Sequence, residues 1–115
     1  MARTTGITFV VPVRDLDAAA HFYCAAFGLE EVYRSDQIVF VGHPGSDSAV
    51  GLLKDAAGAG AGPRHVGLHL DHALSHADAV GEIEGAGGAV IERGEHAPGV
   101  PFARIADPDG NVLEI

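Results

Sequence analysis

An α+β domain of two β-α-β-β-β modules is implied by three features of the sequence. Short stretches alternate in polarity with the period of a strand. Two longer stretches carry apolar residues at three- and four-residue spacings, the period of a helix. The order of these elements repeats once within 115 residues, a length that suits a single domain.

The first module, about residues 5–54, opens with ITFVVPV. There Ile7, Phe9, Val11 and Val13 share one face of a strand, and Thr8, Val10 and Pro12 the other. Asp15 stands at a helix N-cap position before LDAAAHFYCAAFGL. Leu16, Ala20, Tyr23 and Phe27 form its apolar stripe, and Gly28 is a natural stop. EEVYRS, IVFVGH and AVGLLK then read as three short strands. Sequence leaves open whether Val39 and Val41 or Ile38 and Phe40 look inward.

Residues 55–63, including DAAGAGAGP, read as a flexible connector. The second module, about residues 64–115, opens with RHVGLHL. His65, Gly67 and His69 fall on one face, and Val66, Leu68 and Leu70 on the other. A helix is expected over 74–84, with Leu74, Ala77, Val80 and Ile83 on its apolar side. AVIER, FARIA and NVLEI complete the module, the last two joined by the turn sequence DPDG. EHAPGVPF reads as a Gly- and Pro-rich loop of the kind that rims ligand sites. The opening strands overlay at 57 residues, Thr8 on His65. The closing strands overlay at 62, Leu52 on Glu114, or Gly51 on Glu114 after a slip of one residue.

Sixteen acidic residues against seven Lys and Arg give a net charge of −9, which disfavours nucleic acid as a partner. No apolar run reaches the length of a membrane span. MARTTGITFVVPV lacks the features of a secretory signal. A lone cysteine, Cys24, excludes an internal disulfide and suits a cytoplasmic location. No basic neighbour lowers its pKa, so it reads as a small core residue or a half-exposed thiol and not as a nucleophile.

Taken in order, VPVRDLDAAAHFYCAAFGLEEV, RHVGLHL and DPDGNVLEI resemble the vicinal oxygen chelate superfamily, which includes the glyoxalases, bleomycin resistance proteins and dioxygenases. The resemblance spans essentially the whole chain. It implies that each module curls its sheet, that two modules form a cup, and that small members are homodimers with cavities partly built across the subunit contact. The strand faces opposite the helices would line the cup.

The resemblance also implies four metal-ligand positions, one on the first and last strand of each module. Here they are Thr8, Gly51 or Leu52, His65 and Glu114. Only His65 and Glu114 carry suitable donors, whereas a catalytic zinc normally has three protein ligands. His69 lies about 13 Å along the strand from His65 and is too far away to share an ion. The expectation is therefore no metal and no assigned catalytic residue, with His65 and Glu114 the candidates for either role. The ligand-binding set is Thr8, Val10, Pro12, Phe40, Leu52, His65, Gly67, His69, Phe102 and Glu114. His21, His43, His72, His76 and His96 read as surface imidazoles. The ligand expected from the resemblance is a bulky, partly apolar small molecule, such as a natural-product antibiotic, held by sequestration. The alternative is an enzyme using one divalent ion (Zn, Ni, Fe or Mn): a glyoxalase I-like lyase, thiol transferase, epimerase or extradiol dioxygenase.

Overall fold

The first module forms as the local signals dictate. A computed structural model describes residues 2–62, 66–70 and 75–115. Strand β1 spans Thr8–Val13 and helix α1 Leu16–Phe27. The Asp15 carboxylate accepts from the Ala18 N–H at 2.9 Å, capping the helix as its position implies. Gly28 ends it in the left-handed region at φ 66°. Strands β2 (Glu30–Arg34), β3 (Ile38–Gly42) and β4 (Ala49–Lys54) follow. They build a sheet in the order β1-β4-β3-β2, with β1 parallel to β4 and the other pairs antiparallel.

The second module departs further from expectation. Helix α2 is shorter, His76–Gly85, and Ser75 caps it by accepting from the Asp78 N–H. Its buried side is Ala79, Val80 and Ile83, whereas Ala77 is exposed; Leu74 lies outside the described residues. Strands β5 (Ala89–Ala97), β6 (Val100–Ala106) and β7 (Val112–Glu114) form an antiparallel sheet. EHAPGVPF is thus not a loop but the tip of the β5–β6 hairpin. Pro98 and Gly99 make its turn, Gly99 having φ 79°, as a Pro-Gly turn requires. RHVGLHL contributes, among the described residues, one parallel bridge between Gly67 and Glu114 in place of a full strand. Leu68 N–H donates to the Glu114 carbonyl, and Glu114 N–H to that of Val66, each at 2.8 Å.

One core joins the halves. Val11, Val13, Val39, Val41, Val50 and Leu52 from the first sheet pack on Phe22 and Tyr23 of α1, with Ile83, Ile105 and Leu113 from the second half. Val39 and Val41 therefore look inward, and Ile38 and Phe40 lie on the open face. Phe22 meets Tyr23 edge to face at 5.1 Å.

The connector is not free. Asn111, fully buried, accepts from the N–H groups of Gly60 (3.1 Å) and Gly62 (2.9 Å) through Oδ1. Its Nδ2 donates to the Pro12 carbonyl at 2.8 Å and to Asp107 Oδ2 at 3.1 Å. Asp107 Oδ2 also accepts from the Tyr23 hydroxyl at 2.8 Å. Burial, and then the neighbouring Asp107 charge, push the Tyr23 hydroxyl pKa far up, so it stays a donor. The DPDGN turn thereby binds the connector, β1 and α1 together. Among the described residues, no helix is long and apolar enough to cross a membrane.

Candidate functional site

Registering the two sheets against each other defines the open faces. In the first half, Val10 pairs with Gly51, Gly51 with Phe40, and Phe40 with Tyr33. In the second, Gly67 pairs with Glu114, Glu114 with Arg104, and Arg104 with Glu92. The two rows correspond strand by strand. The duplicated chain thus presents an apolar and aromatic row in one half and a charged row in the other.

This register settles the slip between Gly51 and Leu52. Gly51 is the counterpart of Glu114. Leu52 is fully buried in the core and does not face the cup. Its place in the expected ligand-binding set is corrected accordingly, because the strand period of two sends it to the helix side. A side chain at Gly51 would also find its space occupied. An added Cβ would sit 3.0 Å from Phe40 Cε1 and 3.3 Å from Val10 Cγ2.

The second half holds a cavity of about 580 Å³, lined in part by Gly67, His69, His76, His96, Phe102 and Glu114. Four residues expected at a ligand site (Gly67, His69, Phe102 and Glu114) are therefore brought together. Thr8, Val10, Pro12 and Phe40 lie on the first sheet's open face and do not line this cavity. His65 lies outside the described residues. Gly67 and His69 are exposed, whereas Val66, Leu68 and Leu70 are half-buried, the alternation that the sequence implies.

His96 is the residue that sequence reading missed. Its Nε2 hydrogen-bonds Glu114 Oε1 at 2.6 Å, and its ring stacks on Phe102 with centroids 4.4 Å apart and planes 21° from parallel. The Arg104 guanidinium carbon lies 5.5 Å from the centroid of the same phenyl ring. Phe102 fits here because its partner across the sheet is Gly94, where a Cβ would come within 2.7 Å of the ring. Arg104 bonds Glu92 through Nη1, and its Nε lies 3.7 Å from Glu114 Oε2. His76 also departs from the surface reading: its Nε2 is buried and has no hydrogen-bond partner among the described residues. The missed signal was the alternation of Glu92, Gly94 and His96 running into a Pro-Gly turn, which marks a hairpin.

The donor set bears on a metal. Thr8 offers only a neutral hydroxyl, Gly51 offers no side chain, and Glu114 is engaged by His96 and Arg104. Among the described residues, no group of three His, Cys, Asp or Glu side chains is placed to hold an ion. The described residues do not fit a resident divalent cation. Cys24 is half-buried; burial and then Glu31 and Glu30 raise its pKa, which weakens it as a nucleophile.

The family model described as "Glyoxalase/Bleomycin resistance protein/Dioxygenase superfamily" matches residues 7–115. Among solved structures, the chain is similar to a glyoxalase-related enzyme from Fulvimarina pelagi, with 22% identity and a TM-score of 0.71, covering 100% of this chain and 87% of that one. It is similar to a bleomycin resistance determinant encoded on transposon Tn5, with 21% identity and a TM-score of 0.65, covering 94% and 92%. Likewise it is similar to a lactoylglutathione lyase from Agrobacterium tumefaciens, with 25% identity and a TM-score of 0.66, covering 94% and 89%. A search of functionally curated proteins finds no match.

Proposed function

The chain belongs to the Glyoxalase/Bleomycin resistance protein/Dioxygenase superfamily, and we propose that it is a cytoplasmic homodimer that captures a bulky, partly apolar small molecule without a metal. The contrast between the two open faces carries this reading. One face offers Val10, Phe40 and Tyr33, the other a charged row and a stacked His96–Phe102 pair beside the cavity. Apolar walls with a few fixed polar groups are what a drug-sized ligand needs. Glu114, the one described metal position with a strong donor, is hydrogen-bonded to His96 and lies 3.7 Å from Arg104, so binding and not Lewis-acid chemistry is the reading this wall favours.

Calorimetric titration with bleomycin, then with a panel of natural-product antibiotics, tests the reading. Capture predicts saturable binding of at least one compound with the ligand recovered unchanged. Effective sequestration needs an affinity near nanomolar, about 12 kcal/mol. Chemical conversion of a bound compound, or no binding across the panel, would overturn it.

The dimer is a second expectation. Val10, Val32 and Tyr33 expose 44%, 46% and 54% of their surface, and Tyr33 and Val10 sit on the open apolar face. A second copy would cover that face. Sedimentation at micromolar concentration should give about twice the 11.8 kDa chain mass; a single-chain mass at all concentrations refutes the dimer.

The hydrogen-bonded His96–Glu114 pair favours one other reading, an enzyme of this superfamily. An imidazole oriented by a carboxylate can move a proton near neutral pH. Turnover of the hemithioacetal of methylglyoxal and glutathione would establish that reading in place of capture.

A further inference from the structure

We propose that Arg104 is an internal counter-cation that does at Glu114 what a bound metal ion would otherwise do. Glu114 lies in register with Arg104 on the adjacent strand, and Arg104 with Glu92 on the next. Its two oxygens face different partners: Oε1 meets His96 Nε2 at 2.6 Å, and Oε2 lies 3.7 Å from Arg104 Nε. The guanidinium is also bonded to Glu92 and sits beside the Phe102 ring. It thus touches groups on three sides; its Nε is buried and makes no hydrogen bond among the described residues, so it meets Glu114 as an ion pair across 3.7 Å.

This arrangement opposes a dication. A metal about 2.1 Å from a Glu114 oxygen would lie within a few ångströms of the guanidinium. Arg cannot shed its proton to relieve the repulsion. Moving it away would break the bond to Glu92 and the contact with the Phe102 ring. In the first half the corresponding position is Phe40, beside Gly51, so that row carries neither the carboxylate nor the cation. Anion and counter-charge occur together in the second half and are both missing from the corresponding row of the first. The Glu114 carboxylate thus has a counter-charge within the chain, and the row of Glu114, Arg104 and Glu92 as a whole keeps one negative charge in excess.

The inference shares with the proposed function the premise that no metal is needed, and cobalt titration separates the two. Untagged full-length protein is titrated with Co²⁺ and followed by visible absorption and calorimetry. The unsubstituted chain should take up no stoichiometric ion. Arg104→Gln should bind Co²⁺ tighter than the unsubstituted chain, on the order of tenfold to a hundredfold, because one like charge has gone. Arg104→Lys should show no gain, and adding Glu114→Gln to Arg104→Gln should abolish the gain. Arg104→Met, which keeps an unbranched stem beside Phe102, serves if the Gln variant does not fold. One tight equivalent of Co²⁺ on the unsubstituted chain, lost in Glu114→Gln, would overturn both this inference and metal-free capture. A folded Arg104→Gln or Arg104→Met chain with no gain would overturn this inference alone.

Discussion

Replacing Asn111 with alanine should lower the unfolding free energy by about 3–5 kcal/mol, a large part of the roughly 5–15 kcal/mol typical of a domain. The buried amide makes four hydrogen bonds, to Gly60, Gly62, Pro12 and Asp107. Alanine would remove them all and leave the N–H groups of Gly60 and Gly62 without that acceptor. Each bond contributes about 1 kcal/mol net, and leaving the half-buried N–H groups of Gly60 and Gly62 without an acceptor adds to the loss. Asp107 would also lose one of the two donors on its Oδ2 and lean on Tyr23 alone at that oxygen. Urea unfolding followed by far-UV circular dichroism measures the loss. A change below about 1 kcal/mol would mean that water replaces the amide at little cost, and that the connector is not held as described.

That network shows where sequence reading runs out. The signals that placed α1 are local: an acceptor at Asp15, an apolar stripe and a glycine stop all fall within one segment, and the helix begins and ends where they imply. Strands β2, β3 and β4 follow likewise from short stretches of five or six residues set between polar or glycine-bearing turns. The Asn111 bonds to Gly60 and Gly62 span 51 and 49 positions, so no local pattern announces them. A run of glycines looks flexible until a distant side chain takes up its N–H groups. The His96–Glu114 bond spans 18 positions and depends on where the β5–β6 turn falls. An open loop at that turn would leave His96 outside the cup, whereas the alternation leading into it marks a strand. Glu114 and Phe102 are legible because one ends a duplicated strand and the other is aromatic. Arg104 is not legible, because a charged residue in a strand ordinarily faces water. Its partners become apparent only once Glu92 and Glu114 lie in register on either side.

Leu52→Glu should prevent folding, whereas Gly51→Glu should leave a folded chain, although the two positions are adjacent. Leu52 pairs with Val11 and Val39, all three are fully inaccessible, and the surroundings belong to the shared core. A carboxylate there would have no partner, and burying it would cost several kcal/mol, with about 2 kcal/mol of leucine transfer energy also lost. The sum rivals the stability of the whole domain. At Gly51 the obstruction is different in kind. An added Cβ would touch the Phe40 ring edge and a Val10 methyl, both of which belong to side chains on the open face. These can turn outward, at about 1–3 kcal/mol for the overpacking. Circular dichroism and thermal melting of the two purified variants decide the matter. A native-like Leu52→Glu chain beside an unfolded Gly51→Glu chain would mean that the strand faces are inverted, and that Leu52, not Gly51, is the counterpart of Glu114.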